Sequence, residues 1–231
     1  MKKIGATFKQ GLLLCLLCLV LFCLYGLGVY VQFLHTLPKA DLFESAYSKS
    51  VLDRQGRILS VFLNQAEQWH LKSPTPIPNK LKIAVLTYED KRFNKHFGVD
   101  ILALLRSVKN NFTQTKRTGG STISMQVVKL YLKPKRTYSN KINEIFQALA
   151  LETAYNKDEI LAMYLNNAPY GGNVIGYHSA SLLYFGKNST QLTWAESALL
   201  AILPNAPGLL NLNKNPQILK NKRDLLLHKL H

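Results

Sequence analysis

The pattern of hydrophobic and polar positions divides the chain into one long apolar run and a series of shorter segments. Residues 11–34, GLLLCLLCLVLFCLYGLGVYVQFL, contain no charged side chain. A bilayer core is crossed by about 20 apolar residues, so this run is long enough. A cleaved signal peptide usually has a shorter apolar core followed by a small-x-small site, and neither occurs here. The run therefore predicts a retained transmembrane signal anchor over residues 11–34.

The flanks of this run predict its orientation. Lys2, Lys3 and Lys9 precede it, within residues 1–10. Lysine and arginine residues concentrate on the cytoplasmic side of a span, which favours a cytoplasmic N-terminus. Lys39 follows the run closely and makes the other flank less decisive. We expect a single-pass protein with residues 1–10 in the cytoplasm, residues 11–34 in the membrane and the chain from residue 35 onward outside the cytoplasm.

A short β-segment and then a helical body follow. In SVLDRQGRILSVFL, residues 50–63, the polar positions 53–56 separate two apolar runs, which predicts a hairpin. SPTPIP, residues 73–78, predicts a rigid boundary. Residues 35–78 are thus predicted to be an extracytoplasmic linker with a short hairpin. From residue 79 to residue 231 helical spacing dominates, so the fold class is predicted to be mostly α.

Capping signals mark several of these helices. Asp100 is suited to cap one helix, and two later segments have capping-box spacing, Asn156 with Glu159 and Thr193 with Glu196. Residues 110–120, NNFTQTKRTGG, have no periodicity and predict a loop. The last apolar repeat reaches residue 231 without a stop signal, so we expect the natural chain to continue.

Composition narrows the possible partners. The formal net charge is +16, and only three of the 29 basic residues lie before residue 35. A nucleic acid, an anionic membrane surface and an anionic substrate would each suit this charge. No nucleic-acid-binding motif occurs, so no nucleic-acid partner is expected. Cys15, Cys18 and Cys23 all lie in the apolar run, which excludes a thiol nucleophile, a cysteine zinc site and a disulfide scaffold in the body.

A first candidate for chemistry lies at the end of the first body helix. Glu89 and Asp90 precede KRFNKHFG, in which four cationic or imidazole side chains fall within seven residues. A carboxylate there could serve as a general base, with its pKa set by burial and by the nearby cations. A solvated helix end with local ion pairs explains the same residues equally well. His96, a lone histidine in this cluster, is more typical of packing than of catalysis.

A second candidate is the start of a later helix. Gly119, Gly120, Ser121 and Thr122 precede the helix, whose first N–H groups could bind an anion. Thr122, Gln126 and Lys129 follow at helical spacing and share one face, which suits a phosphate group. An ordinary solvent-facing helix surface is the alternative, because this pattern lacks Walker-type spacing.

A third candidate lies in residues 139–167. Lys141 and Glu144 are one turn apart, and Glu152 follows two turns later, so the two glutamates could face the same way. Ile142, Ile145, Phe146 and Leu149 form an apolar stripe that predicts core packing. Two separated carboxylates, Glu89 and Glu144, would suit glycosyl chemistry, although spacing alone leaves open whether they meet. No sequence motif for a protein metal cage is present.

Taken in order, these segments resemble a known family. EDKRFNKHFG (89–98), GGSTISMQ (119–126), Lys141 with Glu144, KDEILAMYLN (157–166) and ESALLAILP (196–204) are similar to the five motifs of family 51 peptidoglycan glycosyltransferases. These are the glycan-polymerising domains of class A penicillin-binding proteins and of monofunctional glycosyltransferases. The resemblance extends over roughly residues 45 to 231.

The resemblance implies a lysozyme-like glycosyltransferase domain, residues 79–231, with a hydrophobic jaw embedded in the bacterial cytoplasmic membrane. It also implies an inverting enzyme that polymerises lipid II into β-1,4-linked glycan strands and releases undecaprenyl pyrophosphate. The partners would be lipid II, the growing glycan strand, the membrane and other cell-wall synthesis proteins. A divalent cation, Mg²⁺ or Mn²⁺, could bridge the substrate pyrophosphate, and no organic cofactor is implied.

The resemblance also assigns roles to residues. Glu89 and Glu144 would be catalytic, with Glu89 the general base on the acceptor hydroxyl and Glu144 supporting the pyrophosphate site. The surroundings of the base and the pyrophosphate would be formed by Asp90, Phe93, His96, Ser121, Thr122, Gln126, Lys129 and Lys141.

This sequence departs from the family pattern at several positions. Asn140 stands where arginine is common, which predicts the loss of one pyrophosphate cation. Ala162 replaces a frequent glutamate, and Leu130 a frequent asparagine. No Ser-x-x-Lys motif occurs, so the transpeptidase domain is absent from this sequence. A non-catalytic scaffold for cell-wall assembly and a lysozyme-like glycan hydrolase therefore stay as alternative functions.

Overall fold

The computed structural model describes residues 2–38, 42–43, 47–73, 76–113, 119–205 and 216–231. Parts of the predicted boundary at 73–78 and of the predicted loop at 110–120 lie outside these residues. The helices are α1 (Lys2–Thr36), α2 (Asn79–Glu89), α3 (Ile101–Thr113), α4 (Ile123–Leu132), α5 (Tyr138–Ala154), α6 (Lys157–Asn167), α7 (Tyr177–Phe185), α8 (Trp194–Ile202) and α9 (Pro216–Leu230). The predicted mostly helical fold is confirmed.

Two small sheets complete the described fold. The predicted hairpin is confirmed, because β1 (Lys49–Leu52) pairs antiparallel with β2 (Ile58–Phe62). The second sheet has the order β3-β5-β4, with strands Trp69–His70, Val174–Ile175 and Pro169–Gly171. Strand β3 comes from the predicted linker, yet it pairs with β5 from the helical body. The end of the linker is therefore built into the domain.

The helix ends follow the capping signals in the sequence. The Oδ1 atom of Asp100 accepts a hydrogen bond from the N–H of Ala103 at 3.0 Å and starts α3. Both predicted capping boxes are formed, at α6 and at α8. Helix α3 continues to Thr113, so the loop predicted from residue 110 was placed too early. The polar sequence NNFT extends an amphipathic helix here instead of ending it.

The core of the body is formed where α4, α5, α6 and α8 pack together with α2. Its largest buried side chains include Leu81, Phe93, Ile123 and Leu151. Glu89 ends α2, and Thr122 precedes α4, so the core brings the first two candidate sites side by side. Among the described residues, one helix segment, Gln10–Thr36, is long and apolar enough to cross a membrane.

Candidate active site

Glu89 is the last residue of α2, and its carboxylate is held by two side-chain amides. The Nε2 group of Gln126 donates a hydrogen bond to Oε2 at 2.9 Å, and the Nδ2 group of Asn205 reaches Oε1 at 3.4 Å. Burial raises the pKa of Glu89, and the two amides and Lys222 lower it without cancelling that effect. A carboxylate with a raised pKa that is still ionised is suited to accept a proton.

Asp90, the residue that follows this base in the sequence, has a structural role. It is 7% exposed and accepts hydrogen bonds from His96 Nε2 at 3.0 and 3.1 Å and from the N–H of Ile123 at 3.1 Å. Ile123 is the first residue of α4, so Asp90 occupies part of the helix start that the sequence suggested for a substrate anion. The Asp90 carboxylate instead links the end of α2 to the start of α4.

A buried network supports the turn that follows Asp90. Lys157 donates hydrogen bonds to the carbonyl of His96 at 2.7 Å and to Glu152 at 2.6 Å. Its ammonium also lies 4.4 Å from the centre of the Phe93 ring. Ser124 donates to the same Glu152 oxygen at 2.5 Å. Glu152 therefore points into this network, and the expectation that it faces the same way as Glu144 was wrong.

Thr122 does not present its hydroxyl to an anion. The residue is 2% exposed, and its Oγ1 donates to the carbonyl of Gly98 at 2.6 Å while accepting from the N–H of Met125 at 3.3 Å. Gly98 has a φ of +75°, and a Cβ there would lie 2.7 Å from the carbonyl oxygen of Ala148. The hydroxyl of Thr122 thus donates and accepts inside the fold, which supports a structural role, and its predicted role as a pyrophosphate ligand stays a prediction.

Gln126 also differs from its predicted role. Its amide is directed to Glu89, so its observed partner is the base and not an open anion site. The helical spacing placed it on the correct face of α4 but could not show which group faces it across the fold. The sequence analysis did not predict a role for Asn205, the second amide that contacts Glu89. Its position directly after the fifth motif could have indicated one.

Lys141 and Glu144, the third candidate, line a cavity of ≈ 980 Å³ together with Glu89. Its lining includes Glu89, Ser121, Gln126, Lys129, Lys141 and Glu144. The ammonium of Lys141 donates to Ser121 Oγ at 2.8 Å and to Glu144 Oε2 at 2.7 Å. The two carboxylates that the sequence left unconnected thus line one cavity. Glu144 is 7% exposed and orients Lys141, whereas Lys129 is exposed.

The same cavity contains cations that the sequence reasoning missed. Lys135 and Arg136 line it, and they follow Lys133, which ends α4 in a left-handed conformation. Asn140 is not among the lining residues; its side chain donates to the carbonyl of Lys135 at 2.8 Å. Lys135 and Arg136 therefore bring two cations to a cavity that Asn140 does not line. The basic sequence KPKR, residues 133–136, could have indicated these cations.

A second cavity of ≈ 380 Å³ lies on the other side of Glu89. It shares Tyr88, Glu89, Gly119 and Ser121 with the first cavity. Its charged lining residues also include Asp90, Lys91, Arg92, Asp100, Arg106 and Lys229. The base therefore lies where two cavities meet. The larger cavity has four basic and two acidic lining residues, and the smaller has four basic and three acidic ones. This arrangement suits two substrates that react with each other, with an anionic group in the larger cavity.

The residues present offer little to a metal ion. Among the described residues, no group of three histidine, cysteine, aspartate or glutamate side chains is placed to hold one. In the larger cavity Glu144 stands beside Lys141. A divalent cation there would take most of its ligands from a substrate pyrophosphate and from water.

Comparison with known proteins finds a matching family model and related proteins. The family model described as Transglycosylase matches residues 55–231. Penicillin-binding protein 1A of Neisseria gonorrhoeae is 33% identical over 218 residues, and that of Pseudomonas aeruginosa is 34% identical over 224 residues. These alignments cover 90% and 92% of this chain but 27% of each relative. The segments VLDRQGRIL and NNAPYGGNVIG predict the greatest similarity to penicillin-binding protein 1C, whereas these two relatives are named penicillin-binding protein 1A.

Proposed function

The chain belongs to the transglycosylase family, and we propose that it is a peptidoglycan glycosyltransferase that polymerises lipid II. The observation that carries this proposal is the position of Glu89 between a basic cavity and a second, adjoining cavity. A transferase needs a donor site and an acceptor site, both next to its base. A hydrolase that cleaves finished glycan has no use for a basic cavity suited to a pyrophosphate. The larger cavity is assigned to the donor and the smaller to the acceptor.

In the proposed reaction, Glu89 accepts the proton of the 4-hydroxyl of the acceptor N-acetylglucosamine. The hydroxyl oxygen attacks C1 of the donor N-acetylmuramic acid, and the bond from C1 to the pyrophosphate oxygen breaks with inversion. Undecaprenyl pyrophosphate leaves with the bonding electrons. Cations positioned where this charge develops lower the barrier, which is the role assigned to Lys129, Lys135, Arg136 and Lys141.

The remaining residues of the site have supporting roles. Glu144 and Ser121 hold the ammonium of Lys141 toward the donor pyrophosphate. Gln126 and Asn205 orient the base. Asp90, Phe93 and His96 fix the turn behind it. A divalent cation would add charge neutralisation at the pyrophosphate, and none of these steps passes through it.

We assign the protein to the bacterial cytoplasmic membrane as a single-pass protein. Its N-terminus would lie in the cytoplasm and its catalytic domain outside, because three lysines precede the apolar segment of α1. The exposed apolar side chains Ile101, Leu102 and Leu105 on α3 would form the membrane-embedded jaw. Other cell-wall synthesis proteins are proposed as further partners.

The test is to incubate the detergent-solubilised chain with lipid II and with preformed glycan in parallel. Glycan polymer and free undecaprenyl pyrophosphate from lipid II would support the proposal. Release of fragments from preformed glycan would favour a hydrolase instead. Binding of lipid II without either product would favour a non-catalytic scaffold.

A further inference from the structure

The apolar helix α1 contacts the catalytic body along one face. Gly26 and Phe33 are buried on this face, whereas most large apolar side chains from Leu12 to Leu27 are exposed. Residues 22, 26, 30 and 33 recur every three or four positions, so they lie on one side of the helix. The surface they meet belongs mainly to α5.

The closest approach is centred on Gly26. A Cβ atom at this position would lie 2.2 Å from the ring of Phe146 on α5, so any side chain here would displace that ring. The Phe22 ring packs on Phe146 with ring centres 5.5 Å apart. Small residues allow such close approach between helices in a membrane. Phe146, which the sequence assigned to the core of the body, packs on the apolar helix instead.

Hydrogen bonds flank this packing contact. The Tyr25 hydroxyl donates to Asn143 Oδ1 at 2.7 Å, and the Tyr30 and Thr153 hydroxyls lie 2.9 Å apart. Polar contacts between helices are favoured in a membrane because the groups lack water as a partner. Farther along, the Tyr155 hydroxyl donates to the carbonyl of Pro38. The contacts therefore advance along α1 and α5 in the same order.

The two sides of α5 serve different partners. Asn143, Phe146 and Thr153 face α1, whereas Lys141 and Glu144 line the larger cavity. Asn143 is the residue directly before Glu144. A shift of α1 against this helix would thus be transmitted to the groups that are assigned to the donor pyrophosphate.

From these contacts we infer that α1 is a positioning element, which holds α5 and with it the donor cavity at a fixed height on the membrane. Tyr25 and Gly26 lie roughly 21 Å along the apolar run from Gly11 at about 1.5 Å per residue, past the middle of a core of about 30 Å. The Lys141 end of α5 is therefore held beside the outer half of the membrane, the half that presents a lipid-linked pyrophosphate to the cavity. The positioning residues are Tyr25 and Gly26 on α1 and Asn143 and Phe146 on α5. This inference rests on the proposed function.

The test compares two leucine substitutions in the full chain, reconstituted in lipid nanodiscs. Gly26→Leu forces a side chain against Phe146. Gly28→Leu adds the same side chain two residues away, where a Cβ would meet nothing within 4 Å. We expect Gly26→Leu to raise the KM for lipid II by about fivefold, within the range of coupling between contacting residues, with kcat little changed. Gly28→Leu should leave both parameters unchanged.

Hydrogen exchange of the α5 amides provides a readout that does not need activity. Exchange should rise in Gly26→Leu and stay at the parental level in Gly28→Leu. Adding Phe146→Ala to Gly26→Leu makes room for the new side chain and should lower KM again, which a loss of folding would not allow.

Equal KM and equal exchange for the two leucine variants would overturn the inference. The same holds if Gly26→Leu raises exchange throughout the body, because that result indicates unfolding. A parent chain that makes no polymer would overturn the proposed function, while a selective rise of α5 exchange in Gly26→Leu would still support the docked helix.

Discussion

At the scale of single residues, Glu89 depends on its neighbours for its chemistry. Burial raises the pKa of its carboxyl group, and hydrogen bonds from Gln126 and Asn205 oppose that rise. As a base, Glu89 acts only when it is deprotonated. The acidic limb of the rate should therefore lie above the pH at which an ordinary glutamate titrates.

Replacing Gln126 tests this balance. Gln126→Met keeps most of the side-chain volume but removes the hydrogen bond that lowers the pKa of Glu89. That pKa should rise further, so the acidic limb of kcat/KM should move to higher pH. The measurement is the pH profile of lipid II polymerisation, with Gln55→Met on the exposed hairpin as the matched control. An unmoved limb would contradict the assigned contact.

We expect different roles for two neighbouring residues: Ser121 supports substrate binding through Lys141, and Thr122 stabilises the start of α4. Thr122 caps α4, so Thr122→Ala should cost about 1 kcal/mol of stability, the usual value for a lost cap. Ser121→Ala removes a partner of Lys141 and should raise KM, with a stability change within about 0.5 kcal/mol. Thermal unfolding in detergent and steady-state kinetics separate the two effects. A raised KM with unchanged stability in Thr122→Ala would show that Thr122 binds substrate.

The residue types of the site could be predicted, but their partners could not. The five motifs identified Glu89, Lys141 and Glu144, all of which line the same cavity. The partner of Gln126 lies 37 positions away, and that of Asn205 lies 116 positions away. Such pairings depend on how α2, α4 and the end of α8 pack, and helical spacing contains no information on that packing.

At the scale of helices and strands, local signals predicted most boundaries. Capping residues fixed the starts of α3, α6 and α8, because their side chains bond to N–H groups only two or three residues away. The turn of the hairpin was predicted for the same reason. The pairing of β3 with β5 joins residues more than 100 positions apart, and two-residue strands have no periodicity that a sequence could show.

The network around Glu152 ties α4, α5 and α6 to the turn behind the base. The Glu152 side chain is 3% exposed, so Lys157→Met would leave a buried charge without its cation. Losing one partner of such a pair costs about 3–5 kcal/mol. The exposed pair of Lys82 with Asp158 provides the control, because Lys82→Met should cost about 1 kcal/mol or less. Equal shifts of the unfolding temperature in the two variants would contradict a structural role for the network.

At the scale of the whole molecule, two apolar surfaces point to a membrane. One is the apolar part of α1, and the other is formed by Ile101, Leu102 and Leu105 on α3. Both belong to a chain with a formal net charge of +16, which suits an anionic membrane surface. Part of this charge lies in the larger cavity, which is lined by Lys129, Lys135, Arg136 and Lys141.

The α3 surface leads to a prediction about docking. Changing Leu102 and Leu105 together to serine removes exposed apolar area without filling or emptying the core. In nanodiscs we expect this double variant to show faster hydrogen exchange in α3 than the parent and a higher KM for lipid II. A double change of Leu59 and Leu63 to serine on the exposed hairpin is the control. The membrane role of α3 would be contradicted if both double variants behaved alike.

Glu89 is proposed as the general base of glycan polymerisation. This role is tested by the rate of lipid II polymerisation by Glu89→Gln compared with Glu67→Gln, the same change at an exposed glutamate that lines neither cavity. Loss of a general base lowers rates by about 10²–10⁴. Glu89→Gln should therefore make almost no polymer while still binding lipid II, and Glu67→Gln should match the parent. Equal polymerisation by the two variants would contradict the account.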